Sequence, residues 1–166
     1  YKDYMMDAEK LYTENKTKFD ESPFSAVIYL NSYARFLVEE KTPDKLKKVY
    51  EKALEICKDK LPNHPERVET LLRAGTNFKR RKEYKQAEEK FKQALALSEE
   101  CLGKHAMTAR CFKAIADLKF SLQEKLPEGA VLSNYEKSLE ILKHLGMEGH
   151  KETIHTLKNL GSYHRS

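Results

Sequence analysis

The sequence is poor in residues that interrupt or cross-link a chain. It has only 5 Pro and 6 Gly in 166 residues, and because these two residue types interrupt helices, long helices are favoured. Three cysteines, Cys57, Cys101 and Cys111, are too few and too scattered for a disulfide framework or a zinc site. No apolar run approaches the roughly 18 residues of a membrane helix. We therefore expect a helical protein of the reducing cytoplasm that has no metal, cofactor or membrane contact.

The beginning of the chain has no secretory signal. Tyr1-Lys2-Asp3 leads into a charged segment, whereas a signal peptide continues into an apolar one. The first residue is not Met, and the last residues still follow a helical pattern. We expect this chain to be a piece of a longer protein.

A strong excess of one charge is also missing. The chain has 31 Lys and Arg against 26 Asp and Glu, which gives a net charge of +5 with both signs mixed. Nucleic-acid-binding domains concentrate positive charge more strongly. The longest basic run is Lys79-Arg80-Arg81-Lys82. We interpret it as a solvated turn between two helices rather than a nucleic-acid or nuclear-import signal.

The sequence contains an internal repeat. One helix pattern recurs at 50–56, 91–97 and 135–141, with offsets of 41 and 44 residues. Each copy has an aromatic residue, a small residue three positions later, Leu directly after it and an aliphatic residue two further on. Recurrence at a fixed period indicates a stack of similar helical units.

A second helix recurs with the first and carries a small residue at one phase. These small residues, spaced 41, 41 and 45 apart, are Ala34, Gly75, Ala116 and Gly161. Glycine inside a helix costs about 1 kcal/mol relative to Ala, so its recurrence predicts close crossing by a partner helix that leaves no room for a side chain. Histidine lies 11 residues before three of them, at His64, His105 and His150. We interpret these histidines as helix-start residues in equivalent turns, not as metal ligands.

These markers predict alternating helices A and B joined by short turns. The predicted A helices are 24–41, 66–82, 107–126 and 151–166. The predicted B helices are 43–60, 84–102 and 128–145, with a leading helix at about 2–20. The third unit has about three extra residues before Leu126-Pro127-Glu128-Gly129, so its A helix or A–B turn should protrude.

These patterns resemble the tetratricopeptide repeat. The second unit matches most closely, through Leu71, Ala74, Gly75, Phe78, Ala87, Phe91 and Ala94. The usual repeat has about 34 residues. The longer period here, with Gly103-Lys104-His105 and Asn159-Leu160-Gly161, resembles the kinesin-light-chain subclass.

The resemblance implies an all-α fold, a right-handed α-α superhelix (solenoid) of antiparallel pairs with about eight helices. We divide the single array into a half-repeat at 1–21, repeats at 22–62, 63–103 and 104–148, and a half-repeat at 149–166. It further implies a non-enzymatic scaffold or adaptor that binds protein ligands.

In the tetratricopeptide arrays that this sequence resembles, the A helices line the concave face. Exposed positions of the A helices are therefore the predicted peptide-binding residues, namely Asn31, Arg35, Arg73, Thr76, Arg80, Arg110, Lys113 and Lys158. Basic residues outnumber acidic ones on this face, which favours a peptide with acidic residues. The alternative is that these are ordinary solvated charges. The carboxylate clamp of chaperone-binding repeats needs Lys and Asn one helical turn apart. It is not predicted here, because Asn31 is paired with Arg35 and Lys113 with Asp117.

Three other functions remain as alternatives. RNA binding needs exposed aromatic rings among basic residues, and the candidates here are Phe120 and Tyr163. Self-association would use the apolar residues Ile154, Leu157 and Leu160 of the last A helix, giving a homodimer through exposed solenoid ends. Catalysis is not expected, because no phosphate loop, nucleophile elbow or HExxH motif occurs and Cys111 suits a packed thiol.

Overall fold

The computed structural model describes residue 14 and residues 21–39, 42–122 and 129–165. These ranges contain seven α-helices and no β-strand. The helices are α1 (Pro23–Glu39), α2 (Pro43–Lys60), α3 (Pro65–Arg80), α4 (Tyr84–Leu102), α5 (Ala106–Leu122), α6 (Leu132–His144) and α7 (Lys151–Tyr163). Within the described ranges, no helix has the length and apolar character needed to cross a membrane. The predicted leading helix and the predicted extension before residue 129 lie outside the described residues.

The chain divides into two compact units, Tyr1–Thr70 and Leu71–Ser166. In the first unit, α1 packs against α2. The buried apolar residues of α1 recur every three or four positions, as at Val27, Leu30 and Ala34, and so form one helix face. Helix α2 contributes Leu46, Tyr50 and Ala53 to the core in the same way. The short connection between the two helices makes this an antiparallel pair.

In the second unit, α5 packs against both α4 and α6, and α7 packs against α5 and α6. One core cluster contains Ala109, Phe112, Ile141 and Leu142. A second contains Ala116, Val131 and Tyr135, with Phe120, Leu160 and Tyr163 packed against it. The prediction of an all-α chain built from recurring helix pairs is confirmed.

Close helix crossing at Gly75 is also confirmed. A Cβ atom added there would lie 2.5 Å from Cε1 and 2.7 Å from Cδ1 of Phe91. Real Cβ atoms do not approach other atoms this closely, so the Phe91 ring of α4 rests directly on the glycine backbone of α3. The aromatic residue of helix B and the small residue of helix A are therefore one packing pair.

The turns explain the recurring histidines. The Nδ1 atoms of His64, His105 and His150 accept hydrogen bonds from the backbone N–H groups two residues later, at 3.1, 3.2 and 3.4 Å. Each imidazole thus accepts from an N–H group in the first turn of its helix, where no carbonyl partner is available. The interpretation as helix-start residues is confirmed.

Glycines end two of the B helices. Gly103 follows α4 with φ of 59° and ψ of −132°, and Gly146 comes two residues after α6 with φ of 67°, and glycine adopts such positive φ values without steric cost. Gly129, with φ of 85°, lies in the turn before α6. The predicted start of that B helix at 128 is therefore wrong for residues 129–131, because the chain first passes through this left-handed turn.

Candidate functional site

The predicted binding residues of the first unit differ in exposure. Arg35 is exposed on α1, as predicted. Asn31 is only 4% exposed, and its side-chain amide donates to Glu66 Oε1 at 2.8 Å and to Thr70 Oγ1 at 2.9 Å. The prediction that Asn31 lies on an open face is wrong, because these hydrogen bonds hold its side chain against the start of α3. Asn31 is a packing residue.

In the second unit, Asp117 of α5 joins residues from four helices. Its Oδ1 accepts from the Tyr135 hydroxyl at 2.6 Å and from the Asn159 amide at 2.7 Å. The Lys113 ammonium lies 3.0 Å from Oδ2. The Lys79 ammonium donates to the Asp117 backbone carbonyl at 2.8 Å. We call these five residues the Asp117 network, and it fixes one point where α3, α5, α6 and α7 meet.

Burial shapes the protonation of this network. It raises the pKa of the Tyr135 phenol well above its usual range, and the hydrogen bond to Asp117 raises it further. The phenol is therefore neutral and remains a donor. Burial lowers the pKa of Lys79, which Asp117 raises and Lys113 lowers. Because Lys79 and Lys113 disfavour each other's charge, another anion placed beside them would be stabilised.

Further cations lie on the same helices. Arg73, Thr76 and Arg80 follow one another at intervals of three and four on α3, so they share one helix face. Arg80 and Thr76 are exposed and Arg73 is half-buried, and the Thr76 hydroxyl donates to the Leu72 carbonyl at 2.8 Å. Thr76 thereby satisfies its donor within α3.

Helices α5 and α7 continue this surface. Arg110, one turn before Lys113 on α5, is half-buried, and Lys158, beside Asn159 on α7, is exposed. We define the helix-A face of the second unit as Arg73, Thr76, Arg80, Arg110, Lys113 and Lys158. The hydrogen bonds of Lys79 and Asn159 to Asp117 bring their three helices together on this side. Of the cations on these helices, Lys113 contacts the Asp117 carboxylate and Lys79 contacts its backbone carbonyl.

The interpretation of the basic run as a solvated turn is wrong for Lys79. This residue lies in the last turn of α3, within the predicted helix at 66–82, and is half-buried against Asp117. The interpretation as a turn is confirmed for Arg81 and Lys82, and Lys82 has φ of 62°. The available signal was the repeat phase, since Lys79 lies four residues after Gly75 just as Phe120 lies four after Ala116.

The exposed aromatic residues proposed for RNA stacking are engaged with each other. The Phe120 and Tyr163 rings meet edge to face, with their centroids 5.8 Å apart. Both residues pack against the core of Ala116, Val131 and Tyr135. A ring held in this way does not present a free face to a nucleobase.

In the described part of the chain, no three His, Cys, Asp or Glu residues lie close enough together to hold a metal ion. Cys57, Cys101 and Cys111 are free thiols. Burial raises the pKa of Cys57 to about 11, so this thiol is not ionised at neutral pH.

Residues 24–100 match the family model for the tetratricopeptide repeat. The chain is similar in structure to BtubC (BKLC) from P. vanneervenii, a kinesin-light-chain-like repeat protein, with a TM-score of 0.80 and 17% identity. The similarity covers 95% of this chain and 63% of that one, so this chain spans less than two thirds of its neighbour. At this identity the likeness shows the fold. No curated protein matches the chain.

Proposed function

We propose that this chain, whose residues 24–100 match the tetratricopeptide-repeat model, binds a peptide rich in acidic residues through the helix-A face of its second unit. Tetratricopeptide repeats are non-enzymatic modules that mediate protein–protein interaction. The observation that carries the finer proposal is that the basic residues of this face lie on α3, α5 and α7, the helices that the Asp117 network joins. The proposed site excludes Asn31, because that residue is buried. Peptide binding by Arg35 of the first unit is a separate prediction.

The chemistry of this face suits carboxylates. Arg73, Arg80 and Arg110 offer planar guanidinium groups, which can bind a carboxylate through two parallel hydrogen bonds. The Asp117 network holds Lys79 and Lys113 in fixed positions, so a ligand does not have to order those two side chains. Lys79 and Lys113 are partly buried, which lowers the local dielectric and strengthens their attraction to an anion.

RNA is the weaker ligand for the same face. A basic surface attracts any polyanion, but single-stranded RNA gains much of its affinity from base stacking on aromatic side chains. The rings of Phe120 and Tyr163 are packed against each other and against the core. An acidic peptide needs no stacking surface, so the observed cations suffice for it.

The test is a binding titration with defined peptides. The probes are fluorescein-labelled 12-residue peptides in which Asp and Glu alternate with Ala and Ser, and matched peptides with Asn and Gln in their place. We expect the acidic peptides to bind more tightly, with an affinity that falls as salt rises. The double variant Arg80→Glu with Lys158→Glu should bind them at least tenfold more weakly, which corresponds to about 1.4 kcal/mol.

A matched control separates a local site from net charge. Lys85→Glu with Lys143→Glu changes two exposed lysines of the B helices and lowers the net charge by the same amount. We expect this control to weaken binding by less than threefold. An equal loss in both double variants would show that the peptide responds only to overall charge, and the proposed site would be wrong.

We also propose the cytoplasm as the compartment of this interaction. The three cysteines are free thiols, and two of them, Cys57 and Cys111, are buried. Free thiols persist where the surroundings are reducing. Labelling the thiols in a fractionated cell extract with a maleimide would test this, because oxidised cysteines would not react.

A further inference from the structure

The two carboxylate oxygens of Asp117 have different partners. Oδ1 accepts hydrogen bonds from the Tyr135 hydroxyl at 2.6 Å and from the Asn159 amide at 2.7 Å. Those two bonds hold α5 against α6 and α7. Oδ2 lies 3.0 Å from the Lys113 ammonium, one turn earlier on the same helix. The pair with Lys113 therefore joins no further helix, and its role is separate from packing.

The packing partners of Asp117 do not require its charge. Tyr135 and Asn159 are neutral donors, and a neutral amide oxygen accepts from them as a carboxylate does. The ion pair with Lys113 explains the charge no better, because ion pairs four residues apart on a helix add little stability, and less when the lysine comes first. The negative charge on Oδ2 thus points to a role other than holding the fold.

The repeat places Asp117 at a solvent-facing position of its helix. It directly follows the small residue of α5, and the residues at that position in α1, α3 and α7 are Arg35, Thr76 and Ser162. All three are exposed, and none is acidic. The side chains of Asp117 and Lys113 are each 19% exposed. A solute can therefore reach the pair.

Electrostatics around the pair oppose a second anion. Asp117 is the only acidic residue in the sequence of α5, which also carries Arg110, Lys113 and Lys119. Burial lowers the pKa of Lys79, which Asp117 raises and Lys113 lowers, so these three charges act on one another. A peptide carboxylate near Lys113 would be attracted by the ammonium group and repelled by Asp117. Two carboxylates would then compete for one cation.

We propose that Asp117 is an internal competitor of the acidic peptide, whose carboxylate must displace that of Asp117 from Lys113. This inference rests on the proposed function, because it concerns the same helix-A face. At Lys113 one ion pair is exchanged for another, so binding there adds little net affinity. The affinity then comes from further carboxylates at exposed cations of the face, such as Arg80 and Lys158. The site thereby selects peptides with several acidic residues over peptides with one.

Asp117→Asn separates the two roles of the side chain. The amide oxygen can replace Oδ1 as the acceptor for Tyr135 and Asn159, whereas the amide nitrogen cannot pair with Lys113. We expect this variant to bind the fluorescein-labelled acidic 12-residue peptides about fivefold more tightly than the unaltered chain does. Fluorescence anisotropy measures the affinity, and circular dichroism checks that the variant is folded.

A matched control removes the same charge from a comparable pair. Glu88 on α4 lies 2.7 Å from Lys92, four residues later on the same helix. Glu88→Gln should leave binding within about twofold, because this pair lies on a B helix outside the helix-A face. In a Lys113→Gln background, Asp117→Asn should also change binding by less than about twofold, since no ammonium group remains to be released.

A second measurement uses the unaltered chain and so does not depend on the stability of Asp117→Asn. Lysine side chains are labelled with carbon-13 at Cε, and the Lys113 signal is assigned by its absence from the spectrum of Lys113→Arg. Saturation with the acidic peptides should shift the Lys113 signal, and the matched Asn and Gln peptides should not. A Lys113 signal that stays in place while the acidic peptides bind would overturn the inference.

The binding data distinguish this inference from the proposed function. If the unaltered chain binds the acidic peptides and Asp117→Asn binds them no more tightly, Asp117 is not a competitor, and the proposed function stands. If Glu88→Gln gives an equal gain, or if the gain persists in the Lys113→Gln background, the effect comes from net charge and the inference is wrong. If neither the unaltered chain nor Asp117→Asn binds these peptides, the proposed function fails and this inference fails with it.

Discussion

The two units use the same repeat positions for different purposes. Asn31 in the first unit and Lys113 in the second each lie three residues before the small residue of an A helix. Asn31 is buried and bonded to the neutral Thr70 hydroxyl and to Glu66, whereas Lys113 pairs with Asp117 at a partly open surface. The Asn31 hydrogen bonds hold helices together, whereas the Lys113–Asp117 pair also places charge at the surface. Helical repeats can therefore keep their packing while a single position changes from a buried amide to a partly exposed cation.

The largest expected effect comes from removing the centre of the second arrangement. Asp117→Ala leaves the buried Tyr135 hydroxyl without its acceptor, and it removes the negative charge that favours the charged form of Lys79 against Lys113. An unsatisfied buried donor costs about 1–3 kcal/mol, so we expect unfolding in urea to show a loss of about 3 kcal/mol. Asp117→Asn keeps the shape and one acceptor and should lose less. Equal stability of Asp117→Ala and the unaltered chain would show that the network does not support the fold.

The same experiment in the first unit should have a smaller effect. Asn31→Ala removes two hydrogen bonds, to Glu66 and Thr70, and we expect a loss of about 2 kcal/mol in urea unfolding. The position equivalent to Asn31 in the next A helix is Leu72, which is buried. Asn31→Leu should therefore recover part of the loss through apolar packing. If Asn31→Leu is less stable than Asn31→Ala, position 31 cannot accommodate a buried leucine as position 72 of α3 does.

These positions show what the sequence could and could not predict. Periodicity predicted the helices and the close helix crossing at Gly75, because both depend on spacing within one or two neighbouring helices. The apolar Leu72 at the phase of Asn31 indicates that this phase faces the interior. The Asp117 network was not predictable, since its contacts join residues 18, 38 and 42 positions apart. Those contacts depend on how four helices cross, which spacing along one helix does not determine.

We expect substitutions in the second unit to weaken peptide binding more than substitutions in the first. Arg80 belongs to the cation-rich helix-A face of the second unit, whereas Arg35 is an exposed arginine of the first. We expect Arg80→Glu to weaken binding of the acidic 12-residue peptides about fivefold, or about 1 kcal/mol, and Arg35→Glu to weaken it less than twofold. Fluorescence anisotropy at two salt concentrations measures both. A larger effect of Arg35→Glu would move the proposed site into the first unit.

Alkaline pH should reveal the smallest difference between the units. The pKa values of Cys57 in the first unit and Tyr135 in the second are both raised by burial, from ordinary values of 9.0 and 10.0. A raised pKa means that the unfolded chain loses its proton first, so the contribution to stability is complete below the ordinary value and is lost as pH rises above it. Cys57 therefore begins to destabilise the fold near pH 9, and Tyr135 begins near pH 10. Urea unfolding between pH 8 and 11 should show a flatter decline above pH 9 for Cys57→Ala, and a flatter one only above pH 10 for Tyr135→Phe. Identical pH profiles for the two variants would mean that neither group controls the decline.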